Sequence, residues 1–299
     1  MSAVSTGAVY DRGYRPYEGE RGGRTAARNA LLRASIRRAI GLRRPWRQKV
    51  APVGLLLIAV VPAIVNVGVS YLTRNTPAER IEFITYRDYV GVSNALLVFV
   101  ALTAPDLMCP DRRNRVLPLI FARPLKGIDY VAAKVGAMVA ILFAFGIIPQ
   151  LVLFIGQTLV SDDGSLTYVR ENAEVLWQVP LAVAVLATYY SVIGIAMSSL
   201  SSRRISAGAS IVGLFLITST VSAVLTEGSP NEEHNGLGGL LNLLAIPTEV
   251  RDLIFLGHLD PESTLSGVSG GGLGAVLVCL GMVALGLVIL FVRYDEVER

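Results

Sequence analysis

The residue types that could do chemistry are few in this 299-residue chain. His234 and His258, the only histidines, stand near Glu232, Glu233 and Asp260, side chains able to hold a surface metal ion. Their spacing matches no recognised ligand pattern, so they read as solvated loop residues and no metal site is expected. Cys109 and Cys279 are the only cysteines, and each reads as a small apolar residue of an apolar run. No phosphate loop of the form Gly-x4-Gly-Lys-Ser/Thr occurs, and none of Lys49, Lys126 and Lys134 follows a Gly-rich turn. Zinc-protease and serine-hydrolase signatures are equally absent from the sequence. The expectation is a chain with no catalytic residues and no cofactor of its own.

An ionisable group inside an apolar run is a functional candidate by default. Asp106 and Lys134 are the two here, each near the end of its run. Either a structural pairing of Asp106 with Lys134 or Arg112, or a proton or ion relay, fits that position; we read it as structural. No acidic residue falls at the middle of a run, which weighs against a proton-coupled carrier.

These residues must be positioned by helices. The chain is 53% hydrophobic and only 17% charged, with a mean hydropathy of +0.55. A soluble domain keeps about a quarter of its residues charged, which weighs against a single soluble globular enzyme. Six apolar runs near the ~20 residues that cross a bilayer cover 50–72, 89–107, 131–159, 176–200, 205–225 and 273–292. They are too long and unpatterned for barrel strands, which predicts an all-α polytopic membrane protein of six transmembrane helices. The first 49 residues hold 12 Arg or Lys and no apolar run of leader length. With the even number of spans, both termini are expected in the cytoplasm of a bacterial plasma membrane. The loops agree: 21 basic residues fall in the segments then placed inside, and five (Arg74, Arg80, Arg87, Arg170, Arg251) in those placed outside.

Residues 1–24 read as a flexible cytoplasmic arm. Tyr10, Tyr14 and Tyr17 interleave there with Arg12, Arg15 and Arg21, but the positive-inside rule accounts for the charge and no nucleic-acid partner is expected. Residues 25–49 read as an amphipathic interfacial helix in which Leu32, Ile36 and Ile40 recur at four-residue spacing, with Pro45 ending it and Trp46 at headgroup depth. The six-helix domain then spans 50–292, followed by a short cytoplasmic tail, 293–299. Its segment 226–272 holds two apolar pieces, 237–246 and 250–256, around Pro247. Both are too short to cross and too apolar for a water-bathed loop, so a helical re-entrant or interfacial insertion is expected before the last span. Pro247 and Glu249 suit the first turn of its second arm.

The loop 109–128 is the most informative stretch. Basic residues alternate there with Val116, Leu117, Leu119, Ile120 and Phe121, an apolar set that asks for a protein partner. Asp111-Arg112, the Leu-rich centre, Arg123-Pro124-Leu125, Asp129-Tyr130 and Lys134 together resemble the corresponding loop of type-2 ATP-binding-cassette permeases. That family typically shows an acidic residue with Arg, a Gly-Thr-Leu-x-Leu-Leu-Leu core, Arg-Pro, then Tyr and Lys opening the third span. The whole layout, over roughly 25–292, is also similar. Asp111 stands where the family has Glu, and Asn114-Arg115 where it has Gly-Thr. Pro118 lies inside the expected coupling helix, which either starts at Leu117 or is bent.

The resemblance implies the membrane subunit of an ATP-driven exporter. ATP and magnesium would be bound by separate ATPase subunits docked on Asp111, Arg112, Val116, Leu117, Ile120, Phe121, Arg123 and Pro124. A second permease protomer, identical or a sister chain, would complete the path. Asn94 and Thr103 in the second span, and the small-residue stripe Ser206, Ser210 and Gly213 in the fifth, would face that path or interface; ordinary interhelical packing explains them equally well. Membrane lipids are the remaining partner. The alternative reading is an ATP-independent carrier, a scramblase or a signalling anchor.

Overall fold

The computed structural model describes residues 22–41, 46–73, 85–90, 93–122, 124–161, 164–227 and 238–298. Most of the 1–24 arm, the Trp46 and Asn94 side chains, Arg123, and the Glu232–His234 group lie outside the described residues. Among the described residues the helices in order are α1 (Arg24–Ala39), α2 (Trp46–Thr73), α3 (Tyr86–Val90), α4 (Ser93–Arg113), α5 (Leu117–Phe121), α6 (Gly127–Val160), α7 (Ser165–Glu171), α8 (Val175–Leu200), α9 (Arg204–Glu227), α10 (Ile246–Leu256) and α11 (Gly271–Glu298). Among the described residues there is no strand. Six helices, α2, α3 with α4, α6, α8, α9 and α11, are long and apolar enough to cross a membrane, which makes this a multi-pass membrane protein.

Every backbone group in hydrocarbon needs a partner within its own segment, and the long apolar runs supply it as helices. Packing then sorts them. α8 is the central helix, with 72% of its most apolar stretch buried, whereas α2 is peripheral at 11%. At ~1.5 Å per residue the 34 residues of α6 extend ~51 Å, well past a ~30 Å hydrocarbon layer. Both ends of the described chain meet at one end of the bundle: α1 pairs with the start of α6 through Arg24 and Asp129, and Tyr294 of α11 stacks near Tyr130.

Prolines shape the contacts. Pro105 inside α4 has no N–H, so the Ala101 carbonyl lacks its usual helical donor. α9 comes close at that point because Gly208 has no side chain; a Cβ there would lie 2.9 Å from the Ala101 oxygen. Gly208→Ala is therefore expected to destabilise the protein by about 1–3 kcal/mol, since backbone must move to make room. Thermal melting of the detergent-solubilised variant checks this.

The insertion before the last helix enters the bundle. The hydroxyls of Tyr189 and Tyr190, in the middle of α8, donate to the Leu243 and Leu244 carbonyls at 2.9 and 3.2 Å. Leu243 and Ile246 join the core. α10 starts with Pro247 in its first turn and stops at Gly257, whose φ of 73° is the left-handed cap that glycine favours. The arm before it is not the expected helix: from Leu240 to Ala245 it runs mainly as turns, with the Leu243 and Leu244 carbonyls taken by the α8 tyrosines.

Candidate coupling site

The short loop that drew attention in the sequence reverses the chain in very few residues. α4 ends at Arg113, and Arg115 takes a left-handed φ of 52°, unusual for a residue with a side chain. Asn114 N–H donates to the Pro110 carbonyl at 2.9 Å and Val116 N–H to the Asp111 carbonyl at 3.0 Å, which closes the turn. α5 then begins at Leu117 with Pro118 in its first turn, where the missing N–H costs nothing. Leu117, Ile120 and Phe121 pack against the core, and Val116 is half-buried. Pro118, Leu119 and Ala122 face outward, with Leu119 69% exposed. Pro124 is exposed, and Arg123 lies outside the described residues.

Beneath α5 sits an ionic hub. Asp111 is 3% exposed and receives the Arg38 guanidinium at 2.5 Å, the Lys134 ammonium at 2.6 Å and the Tyr130 hydroxyl at 3.1 Å. Lys134, 1% exposed, also donates to the Leu107 carbonyl at 2.9 Å and lies 5.3 Å from the Tyr130 ring centre. Two charges taken out of water cost several kcal/mol each, and only close geometry with further hydrogen bonds offsets that. Asp111 and Lys134 meet both conditions. The hub thereby ties α1, α4 and α6 at one carboxylate. Tyr130 extends it: its ring meets Phe121 of α5 edge-on at 6.0 Å and Tyr294 of α11 at 5.0 Å.

α1 is held at both ends. Arg24 forks onto Asp129 at 2.6 and 3.1 Å, and the same carboxylate caps α6 by accepting the Lys126 N–H at 3.0 Å. Arg38, in the last turn of α1, reaches Asp111. Between them Ser35 and Ala39 are buried, Leu31 and Ile36 pack on the core, and Leu32 comes against Gly136. The inward stripe is thus 31/32–35/36–39, which corrects the 32–36–40 repeat; Ile40 is exposed. Arg28, Arg33 and Arg37 line the outer face.

Several sequence assignments change partner. Lys134 pairs with Asp111, not Asp106, and Asp106 pairs with Arg204 at the start of α9. Arg112 donates to the Ser199 carbonyl at the end of α8. The reason is register: Asp111 lies at the depth of the first turns of α6, while Asp106 sits a turn and a half further in and faces α9. Asp111 and Phe121 are brought together at Tyr130, and Leu117 and Ile120 pack with Phe121 on the core. Thr103 is enclosed between α4 and α6, bonded to the Phe99 carbonyl at 2.6 Å and near the Met138 sulfur at 3.6 Å. On α9, Ser206 is exposed, Ser210 donates to the Ala207 carbonyl at 2.8 Å, and Gly213 has open space beside it. Asn94 falls in the first turn of α4.

Arg24 and Arg38 are the functional residues that sequence reasoning missed. They belong to a helix rich in arginine, where nothing marks two of them as inward partners.

Among the described residues no group of three or more His, Cys, Asp and Glu could hold a metal ion. What the arrangement can do is mechanical. Phe121 of α5 meets Tyr130 of α6, which in turn touches α4 at Asp111 and α11 at Tyr294, and through Asp111 is linked to α1. Compared with known proteins, no family model matches the chain and no curated protein matches its sequence.

Proposed function

We propose that this chain is the membrane-spanning permease subunit of an ATP-driven exporter of the type-2 ATP-binding-cassette kind, without catalytic activity of its own. One observation carries the reading: a five-residue helix with an outward apolar face rests on a buried ionic hub that joins α1, α4 and α6. A loop that only reversed direction would need neither the face nor the hub. The partner is a nucleotide-binding ATPase that holds ATP and magnesium, with its groove seated on Leu119. The α5 end is cytoplasmic, as the basic residues gathered there favour, and the membrane is the bacterial plasma membrane. α1 lies at the inner interface, its outer arginines toward anionic headgroups and its inner face on α6. The tyrosine-anchored insertion is re-entrant and forms the outer mouth of the path. A second protomer, identical or a sister chain, completes the path, with the Ser206 and Gly213 face of α9 toward it.

Co-purification tests this. Tagged chain extracted in mild detergent is expected to bring with it a chain bearing the phosphate-loop signature, in equal numbers. A chain that purifies alone and transports across vesicles without ATP contradicts the proposal and favours an energy-independent carrier.

A further inference from the structure

At the end of the bundle opposite α5, charges gather around α10. Arg87 of α3 donates to Asp260 at 2.8 Å and lies 3.8 Å from Asp252. Arg251 turns both its Nε and a terminal nitrogen onto Asp252, at 2.8 and 2.6 Å. Each of these two arginines is thus engaged by an aspartate. Glu249, one turn before Asp252, is left out. It is 8% exposed; Oε1 accepts the Ser263 hydroxyl at 2.7 Å, and Oε2 is buried with no hydrogen-bond partner. Among the described residues no cation lies at ion-pair distance from it.

The groups facing Glu249 are few. On its own helix they are Arg251 and Asp252, and from the loop after it Asp260, with Glu262 and His258 exposed further out; Arg87 of α3 is engaged by Asp252 and Asp260, and Asp88 by Arg87. α8 carries no charged residue, and α11 none before Arg293; their nearest titratable groups are Tyr189, Tyr190 and Cys279. A buried carboxylate oxygen without a donor is costly when charged and much less so when protonated.

We propose that Glu249 is a proton-binding site that controls the seating of α10: protonated, α10 is seated against α8 and α11; ionised, it loosens. Burial raises the Glu249 carboxyl above its usual range, opposed by the Ser263 hydroxyl, and the negative charges of Asp252 and Asp260 add to the rise while Arg251 opposes it. The sign follows. A carboxyl that titrates higher when seated than when released binds its proton more tightly in the seated state. Seating is therefore full below the ordinary value of 4.5 and weakens as pH rises from there through the seated value. Placing this site at the outer mouth rests on the transporter reading, but the proton site itself does not.

The test is hydrogen exchange of the full chain in lipid nanodiscs between pH 5 and 8, with exchange times scaled for the intrinsic rate. In wild type, protection across 249–256 is expected to fall with rising pH, about tenfold for each unit by which seating raises the carboxyl. Glu249→Gln is expected to abolish the slope while leaving α8 unchanged. Ser263→Ala, which removes the donor to the charged form, is expected to extend the fall to higher pH. Equal slopes in wild type and Glu249→Gln, or a fall shared by α4 and α8, would overturn the proposal. Neither result bears on whether an ATPase docks at α5, so the two readings fail separately.

Discussion

Replacing Asp111 by Asn is expected to cost about 3–5 kcal/mol of stability, the largest effect of any single change considered. The substitution keeps shape and one acceptor oxygen but removes the negative charge that faces the Lys134 ammonium, which is 1% exposed and otherwise meets the Leu107 carbonyl and the face of Tyr130. A buried charge stripped of its partner is the costly case, because desolvation is no longer offset. Arg38 loses less: its side chain is 41% exposed and can turn to water, so Arg38→Ala is expected to cost under about 1 kcal/mol. The apparent melting temperature in detergent and the fraction eluting as a single folded species measure both. Removing both buried charges at once, Asp111→Leu with Lys134→Met, is expected to recover most of the loss. If the double variant is no better than Asp111→Asn, the hub is not the pairwise ionic contact described here.

The second large effect falls on activity instead of folding. Leu119→Asp places a charge at the centre of the exposed face of α5, and the side chain touches little of its own protomer. A hot-spot residue at an interface is worth 2 kcal/mol or more, so ATP hydrolysis by the assembled complex is expected to fall at least about tenfold. The melting temperature of the isolated chain should not change. Phe121→Asp is the contrast: its ring sits edge-on to Tyr130 and packs on the core, so that variant is expected to melt early. The family resemblance placed Leu117, Ile120 and Phe121 among the docking side chains and left Leu119 out; in the structure those three pack on the core and Leu119 is the exposed one.

The spanning helices were legible because apolar runs of bilayer length, four of the six without any charge, have one structural solution. Helix α4 outran its apolar segment at the distal end, since Arg112 and Arg113 continue the ladder past the last apolar residue. For Pro118 the sequence left two options, a helix starting at Leu117 or a bend, and the structure takes the first. The hub was not. Arg38 and Asp111 are 73 positions apart, and no periodicity links an arginine on one helix to an aspartate on another. Asp106 and Lys134 looked like partners because both stand near the ends of their runs, but a shift of five residues along α4 places Asp111 there instead. Glu249 shows a different limit. A glutamate in the first turn of a helix reads as compensation of the helix dipole, and only the packing of α10 reveals that one of its oxygens is buried without a partner.

That energy enters through α5 can be tested at one position. A photo-crosslinking side chain in place of Leu119, activated in intact cells, reports what the exposed face touches. An adduct with a chain carrying the phosphate-loop signature, lost when Leu119's neighbour Pro118 is changed to Asp, is the expected result. Labelling of a Leu119→Cys variant by an impermeant thiol reagent from outside the cell, or photo-adducts with lipid alone, would contradict it.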